Sequence, residues 1–175
     1  MADTANGRLS GKDKISFETY IQSMYFDRMI EAANRRLGVM TNGRYELTRR
    51  RDALSKTGQS GLDLDVVDNY TGKARDAASL SGGESFKAAL ALALGLSDTV
   101  QSHAGGIQLD TMFIDEGFGS LDQESLRLAL KALTELSGGG KLIGIISHVE
   151  ELKDSIDAKI IVERGCEGST LRIEA

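Results

Sequence analysis

Apolar residues along this chain recur with two periods. Phe17, Tyr20, Ile21 and Met24, then Phe26, Met29, Ile30, Ala33 and Leu37, follow helical spacing. They predict a long amphipathic helix over 16–37 with Gly38 as its stop. The polar residues 1–15 before it read as a loop or frayed tail. Past the turn signal Thr41-Asn42-Gly43, residues 44–49 read as a strand, and 55–61 as a polar loop. Leu62, Leu64 and Val66, alternating with Asp63 and Asp65, predict a second, half-exposed strand. Residues 86–96 are apolar except for Lys87 and Gly95, the mark of a buried helix. Apolar runs at 111–114 and 141–146 predict strands, the second fit for a buried parallel one. Between them Leu126, Ala129, Leu130 and Leu133 form one helix face. Residues 159–163 and 169–174 read as strands joined in a hairpin by the turn 164–168. The pattern is α/β: a mostly parallel sheet flanked by helices, with a β-hairpin at the C-terminus.

The stretch Leu80-Ser81-Gly82-Gly83-Glu84 heads the apolar helix. Ser81 and Glu84 form an S-x-x-E capping box, so the helix starts near Gly82. Its N-terminus presents Ser81 and two glycines whose missing Cβ atoms permit close approach. Free N–H groups and the positive end of the helix dipole suit that spot to a phosphate. Taken alone, the stretch also reads as a well-capped helix after a glycine turn.

The run Thr111-Met112-Phe113-Ile114 ends in Asp115-Glu116, and Gly117-Phe118-Gly119-Ser120-Leu121-Asp122 follows at once. Asp122 is placed to N-cap the next helix. The apolar run after Lys141 ends in Ser147-His148. Two glycine-rich stretches fail the Walker A pattern. Gly7–Lys12 has three residues between its glycines and Asp13 where a Ser or Thr should bind Mg²⁺, and Gly138-Gly139-Gly140-Lys141 is a helix-to-strand link. Arg49-Arg50-Arg51 reads either as a DNA-phosphate contact or as a charged edge that blocks strand pairing. Asp63, Asp65 and Asp68 read as a solvated face rather than a metal site. His103 reads as part of a polar loop with Gly105 and Gly106 and receives no role.

Composition narrows the class. The 175 residues suit one domain, and 41% hydrophobic with 27% charged residues is ordinary for a globular protein. Twenty Gly and no Pro mean that helices end at glycine rather than break at proline. The net charge of −5 argues against a surface that is basic all round, though not against a local basic stripe. The single Cys166 cannot form an internal disulfide, which points to a cytoplasmic setting. No run of about 18 apolar residues marks a membrane span.

The motif at 80–84, with Ser79 before it and Ser85-Phe86-Lys87-Ala88-Ala89-Leu90 after it, resembles the signature motif of the ATP-binding cassette ATPases. The wider match resembles the C-terminal ATPase half of the SbcC type, a group placed with the SMC-type DNA repair ATPases. The resemblance extends to a Walker B strand at 111–116, a D-loop at 117–122 and a switch histidine at His148, all in the family's order. Gly117 stands where transporter ATPases tend to have Pro, so the SbcC type is the nearer match.

The resemblance implies that residues 16–175 are the C-terminal lobe of a split ATPase head. Asp115 would orient Mg²⁺, Glu116 would polarise the water that attacks the γ-phosphate of ATP, and His148 would contact that phosphate. Ser81, Gly82 and Gly83 would close on ATP held by a second identical head, with Asp122 at the interface between heads. It also implies three further partners: an N-terminal lobe carrying Walker A, an SbcD-like nuclease subunit, and double-stranded DNA. Without Walker A this chain alone is expected to be inactive. The rival reading is an SMC-like structural DNA clamp, which has no need of a base at position 116.

Overall fold

Helix α1 (Phe17–Met40) opens the computed structural model, which describes residues 17–50, 62–103, 109–138, 140–165 and 168–174. The expectations for the tail, the loop 55–61, Arg51, Gly105, Gly106, Gly139 and Cys166 fall outside these residues. The buried stripe of α1 is Ile30, Ala33, Leu37 and Met40, as helical spacing requires. The helix runs through Gly38, the expected stop. Gly38 stays helical because the residues that adopt positive φ come later, at Asn42 (50°) and Gly43 (75°). The Gly43 N–H then donates to the Gly38 carbonyl at 2.7 Å, closing the helix end.

Strand β1 (Tyr45–Arg49) pairs antiparallel with β2 (Leu64–Asp68), and β2 with β3 (Lys73–Asp76). Leu47 lies opposite Val66, and both are fully buried, which sets the register. The outer edge of β1 is closed by α1. The Asn34 side chain donates to the Leu47 carbonyl and accepts from the Leu47 N–H, each at 2.8 Å. The third strand has no apolar alternation to announce it. It is an edge strand, held by β2 and by Arg50, which reaches both Asp65 and Asp76. Arg49 pairs with Asp27 at 2.7 Å, so this basic run ties the sheet together. Asp68 corrects the solvated-face reading. It is buried, accepts from the Tyr70 N–H at 2.9 Å and pairs with Arg44.

A 3₁₀ turn (Ala77–Ser79) leads into α2 (Gly82–His103). This helix buries Ala88, Leu90, Ala91 and Leu94, but Leu96 is 51% exposed, and Ala89 and Ala93 also face outward. Its apolar surface is therefore covered on one side only. It continues to His103, which lies on the last helical turn rather than in a loop. At Gly95 the helices α1 and α2 touch backbone to backbone: a Cβ there would sit 2.6 Å from the Met29 carbonyl oxygen and 2.8 Å from the Ala33 nitrogen. Arg36 of α1 pairs with Asp98 of α2 at 2.6 Å. Lys141 approaches the same carboxylate at 3.7 Å, so the lysine of the glycine-rich link is a structural one.

Strand β4 (Thr111–Asp115), a 3₁₀ turn (Phe118–Ser120), helix α3 (Gln123–Ser137) and strand β5 (Leu142–Ile146) form a βαβ unit. Its strands are parallel and paired from Thr111↔Leu142 to Asp115↔Ile146. Helix α3 buries Leu126, Ala129, Ala132 and Leu133. Met112, Ile114, Ile143 and Ile145 pack on the core. The other face of the pair is open, with Phe113 72% and Leu142 65% exposed, so the burial expected of β5 holds on one face. A short helix α4 (Glu150–Ser155), not foreseen, is pinned by the buried Leu152. The hairpin β6 (Lys159–Gly165) and β7 (Gly168–Glu174) ends the fold as expected. No helix among the described residues is long and apolar enough to cross a membrane.

Gly95→Ala should destabilise the fold by roughly 1–3 kcal/mol through overpacking, although Ala is the better helix former by about 1 kcal/mol. Urea unfolding checks this: the midpoint should fall with an unchanged slope. An unchanged midpoint would mean that the two helices separate freely at this crossing.

Candidate functional site

The parallel register decides the site. Asp115 is the last residue of β4 and pairs with Ile146, the last of β5. The segments Asp115-Glu116 and Ser147-His148 therefore leave the same carboxyl edge, where open α/β sheets bind ligands. Glu116 takes a positive φ of 58°, rare for a residue with a Cβ, and its N–H donates to the Ile146 carbonyl at 2.9 Å. The turn brings the Glu116 carboxylate within 3.0 Å of His148 Nδ1. Both side chains are open to solvent, as is Asp115. An exposed aspartate beside a glutamate offers hard oxygen donors of the kind Mg²⁺ takes together with phosphate oxygens.

Gly117, at φ 94°, continues the turn. The Phe86 ring of α2 occupies the place a Cβ would need at Gly117, and meets Phe118 edge-on with ring centroids 4.9 Å apart. Phe118 is 1% exposed. Beyond the 3₁₀ turn, Asp122 caps α3: its carboxylate accepts from the Ser125 N–H at 2.8 Å and from the Ser125 hydroxyl at 3.2 Å. These two bonds, the backbone one first, hold the Asp122 carboxyl below the usual aspartate range. Lys87 of α2 donates to the same hydroxyl at 3.0 Å.

The start of α2 lies against this turn. A Cβ on Gly83 would stand 2.9 Å from the Ser120 carbonyl oxygen, whereas Gly82 and Ser81 are exposed. The carboxylate half of the capping box forms: Glu84 accepts from the Ser81 N–H at 2.9 Å. Its other oxygen accepts from the Tyr45 hydroxyl at 2.6 Å. Burial alone would raise the Glu84 pKa. The Tyr45 and Ser81 bonds outweigh it and bring the carboxyl from 4.5 down to about 2. Burial and this carboxylate neighbour push the Tyr45 phenol up. Arg75 of β3 lies 3.8 Å from Glu84 and donates to the Ser79 carbonyl at 2.7 Å.

The residues singled out in the sequence thus fall in two groups. Asp115, Glu116 and His148 share one edge, and Gly83 abuts the Ser120–Leu121 turn that leads to Asp122. Tyr45 and Arg75 carry no signal in the sequence, and Phe86 and Lys87 enter there only as part of the wider motif, with no role of their own. Tyr45 and Glu84 stand 39 positions apart, a separation no periodicity reveals.

The fold is that of an SMC-type head. A solved structure described as "Structural biochemistry of ATP-driven dimerization and DNA stimulated activation of SMC ATPases" superimposes with a TM-score of 0.65 at 14% identity, covering 90% of this chain and 89% of that one. The Smc head domain of Pyrococcus furiosus, bound to the C-terminal domain of ScpA, gives 0.63 at 14% identity over 90% of this chain and 37% of the other. Residues 51–135 match the family model "SbcC/RAD50-like, Walker B motif". The SbcC component of the SbcCD nuclease of Vibrio cholerae is 52% identical over 99% of the chain, and that of Staphylococcus saprophyticus 53% over 85%. The chain belongs to the SbcC family, and it spans 17% and 15% of the length of these two relatives.

Glu84→Gln should cost on the order of 2 kcal/mol at neutral pH, the scale of a hydrogen bond to a charged group. The folded-state pKa lies below the unfolded one, so the carboxylate's contribution is complete above pH 4.5 and vanishes as pH falls to about 2. The stability gap between wild type and variant, followed by urea unfolding, should close across that window. A constant gap would mean that the Glu84 charge is not what the bonds stabilise.

Proposed function

We propose that residues 16–175 form the C-terminal lobe of an SbcC-like ATPase head. An N-terminal lobe carrying Walker A would complete the head, and two heads would engage around ATP. The observation that carries this reading is the shared carboxyl edge of β4 and β5, with Glu116 and His148 3.0 Å apart. Phosphoryl transfer needs chiefly positioning and charge stabilisation. Glu116 orients the attacking water and accepts its proton, and His148 beside it donates to the γ-phosphate. Mg²⁺ neutralises phosphate charge when bound, and Asp115 is the residue that would hold it. Ser81, Gly82 and Gly83 offer the start of α2 to ATP on the opposite head, with Asp122 near the same interface. The engaged state would govern an SbcD-like nuclease subunit acting on double-stranded DNA ends in the cytoplasm, as part of DNA repair.

Glu116→Gln in the assembled head should lower ATP turnover at least about 100-fold and trap ATP-bound dimers. Size-exclusion chromatography with ATP and a phosphate-release assay read both effects, and normal turnover would remove Glu116 from this role. Ser81→Arg should block engagement while single heads still bind ATP. Loss of ATP binding by a single head would count against a contact across the interface. Activity should be absent from this chain alone and appear on mixing with the matching N-terminal lobe. Hydrolysis by this chain unaided would overturn the split-site reading.

A further inference from the structure

The start of α2 does not hold its own shape by local bonds alone. The turn that precedes it is exposed at Ser81 and Gly82, and such a turn has many conformations open to it. The Ser81 carbonyl accepts from the Ser85 N–H at 2.7 Å, the ordinary bond of the first helical turn, and its N–H is restrained by Glu84, which takes it at 2.9 Å. Glu84 in turn is fixed by a residue of another layer. Tyr45, on β1, is 5% exposed and spends its hydroxyl on the Glu84 carboxylate at 2.6 Å. Two guanidinium groups also lie against the Tyr45 ring, Arg44 at 4.7 Å and Arg75 at 5.8 Å from its centroid. Arg75 also grips the approach to the turn through the Ser79 carbonyl and hydroxyl, at 2.7 and 2.6 Å.

We propose that Tyr45 is a positioning residue for the phosphate-receiving turn: through Glu84 it fixes the Ser81 amide and so sets the geometry in which Ser81–Gly83 meet ATP, while Arg75 steadies the lead-in. This rests on the proposed engagement of two heads around ATP. A bond of 2.6 Å between a buried phenol and a carboxylate is of the strong, charge-assisted kind, and it is directional. A packing ring alone would need no hydroxyl, and a helix cap alone would need no partner on β1. Tyr45 lies at the head of β1, five residues after the end of α1, and its N–H faces Thr41 Oγ1 at 3.4 Å. A displacement of α1 therefore reaches the turn by a path of two side chains.

The test uses the full-length protein with its nuclease partner and Tyr45→Phe, which keeps the ring and removes the hydroxyl. Half-maximal ATP for head engagement, read by cross-linking or chromatography, should rise about tenfold, the scale of one such bond. ATP affinity of single heads should stay within about twofold. Amide exchange at Ser81 should quicken while the core of α2 is unchanged. Glu84→Gln should shift engagement in the same direction, and the double variant should be no worse than the poorer single one, because the two act as one unit. If Tyr45→Phe engages at wild-type ATP concentrations, or if single-head ATP binding and engagement weaken together, the positioning role is overturned. If wild type forms no ATP-dependent dimers at all, the engagement model fails first. The Ser81 exchange rate then still decides whether Tyr45 restrains the turn.

Discussion

The contact between the Phe86 ring and Gly117 holds three segments of this chain in one place. Only a residue without a Cβ leaves room for the ring, and only a residue tolerant of φ 94° makes the turn there. Phe86 belongs to the helix headed by Ser81, and Gly117 follows Glu116 directly. Phe118, against which the ring also packs, opens the turn that leads to Asp122. Gly83 and Ser120 repeat the close approach one turn back along α2. The turn at Ser81–Gly83, the Glu116 strand end and Asp122 therefore sit on a single packed unit, in which displacement of one element must displace the others.

Carboxylates do much of the structural joining. Asp98 links α1 to α2 and to the segment before β5. Asp65 and Asp76 hold β3 through Arg50, and Asp68 organises the turn between β2 and β3. Glu84 connects the β1 layer to α2. An acidic chain with a net charge of −5 thus engages many of its acids inward, against guanidinium, hydroxyl and amide partners. The Arg49–Arg50 pair, which in the sequence suits a nucleic acid, is engaged by Asp27, Asp65 and Asp76.

The elements with strong periodicity were legible in advance: α1, the start of α2, the βαβ unit with Asp122 as its cap, and the terminal hairpin. What escaped reading had a common cause, namely dependence on partners distant in the chain. Strand β3 is polar and exists because β2 pairs with it. Helix α4 has one buried anchor, Leu152, too little for a pattern. Gly38 offered a plain stop, but a helix ends where the backbone can turn left-handed, and Asn42-Gly43 did so first. The location of Asp115, Glu116 and His148 could be read because strand ends are local features and parallel pairing aligns them. The bracing of Ser81 could not, because it depends on a phenol far upstream on β1.

The hairpin β6–β7 has a consequence for the life of the chain before it functions. Ile160, Val162, Leu171 and Ile173 line one of its faces, each about two-thirds or more exposed, and Phe113 and Leu142 add to the bare apolar surface of the β4–β5 pair. Strand surfaces of this composition are sticky toward copies of themselves as well as toward any proper cover. After synthesis the polypeptide is in a race between burial and self-association. Its yield as a monomer will depend on concentration and on the timing of cover as much as on its folding energy.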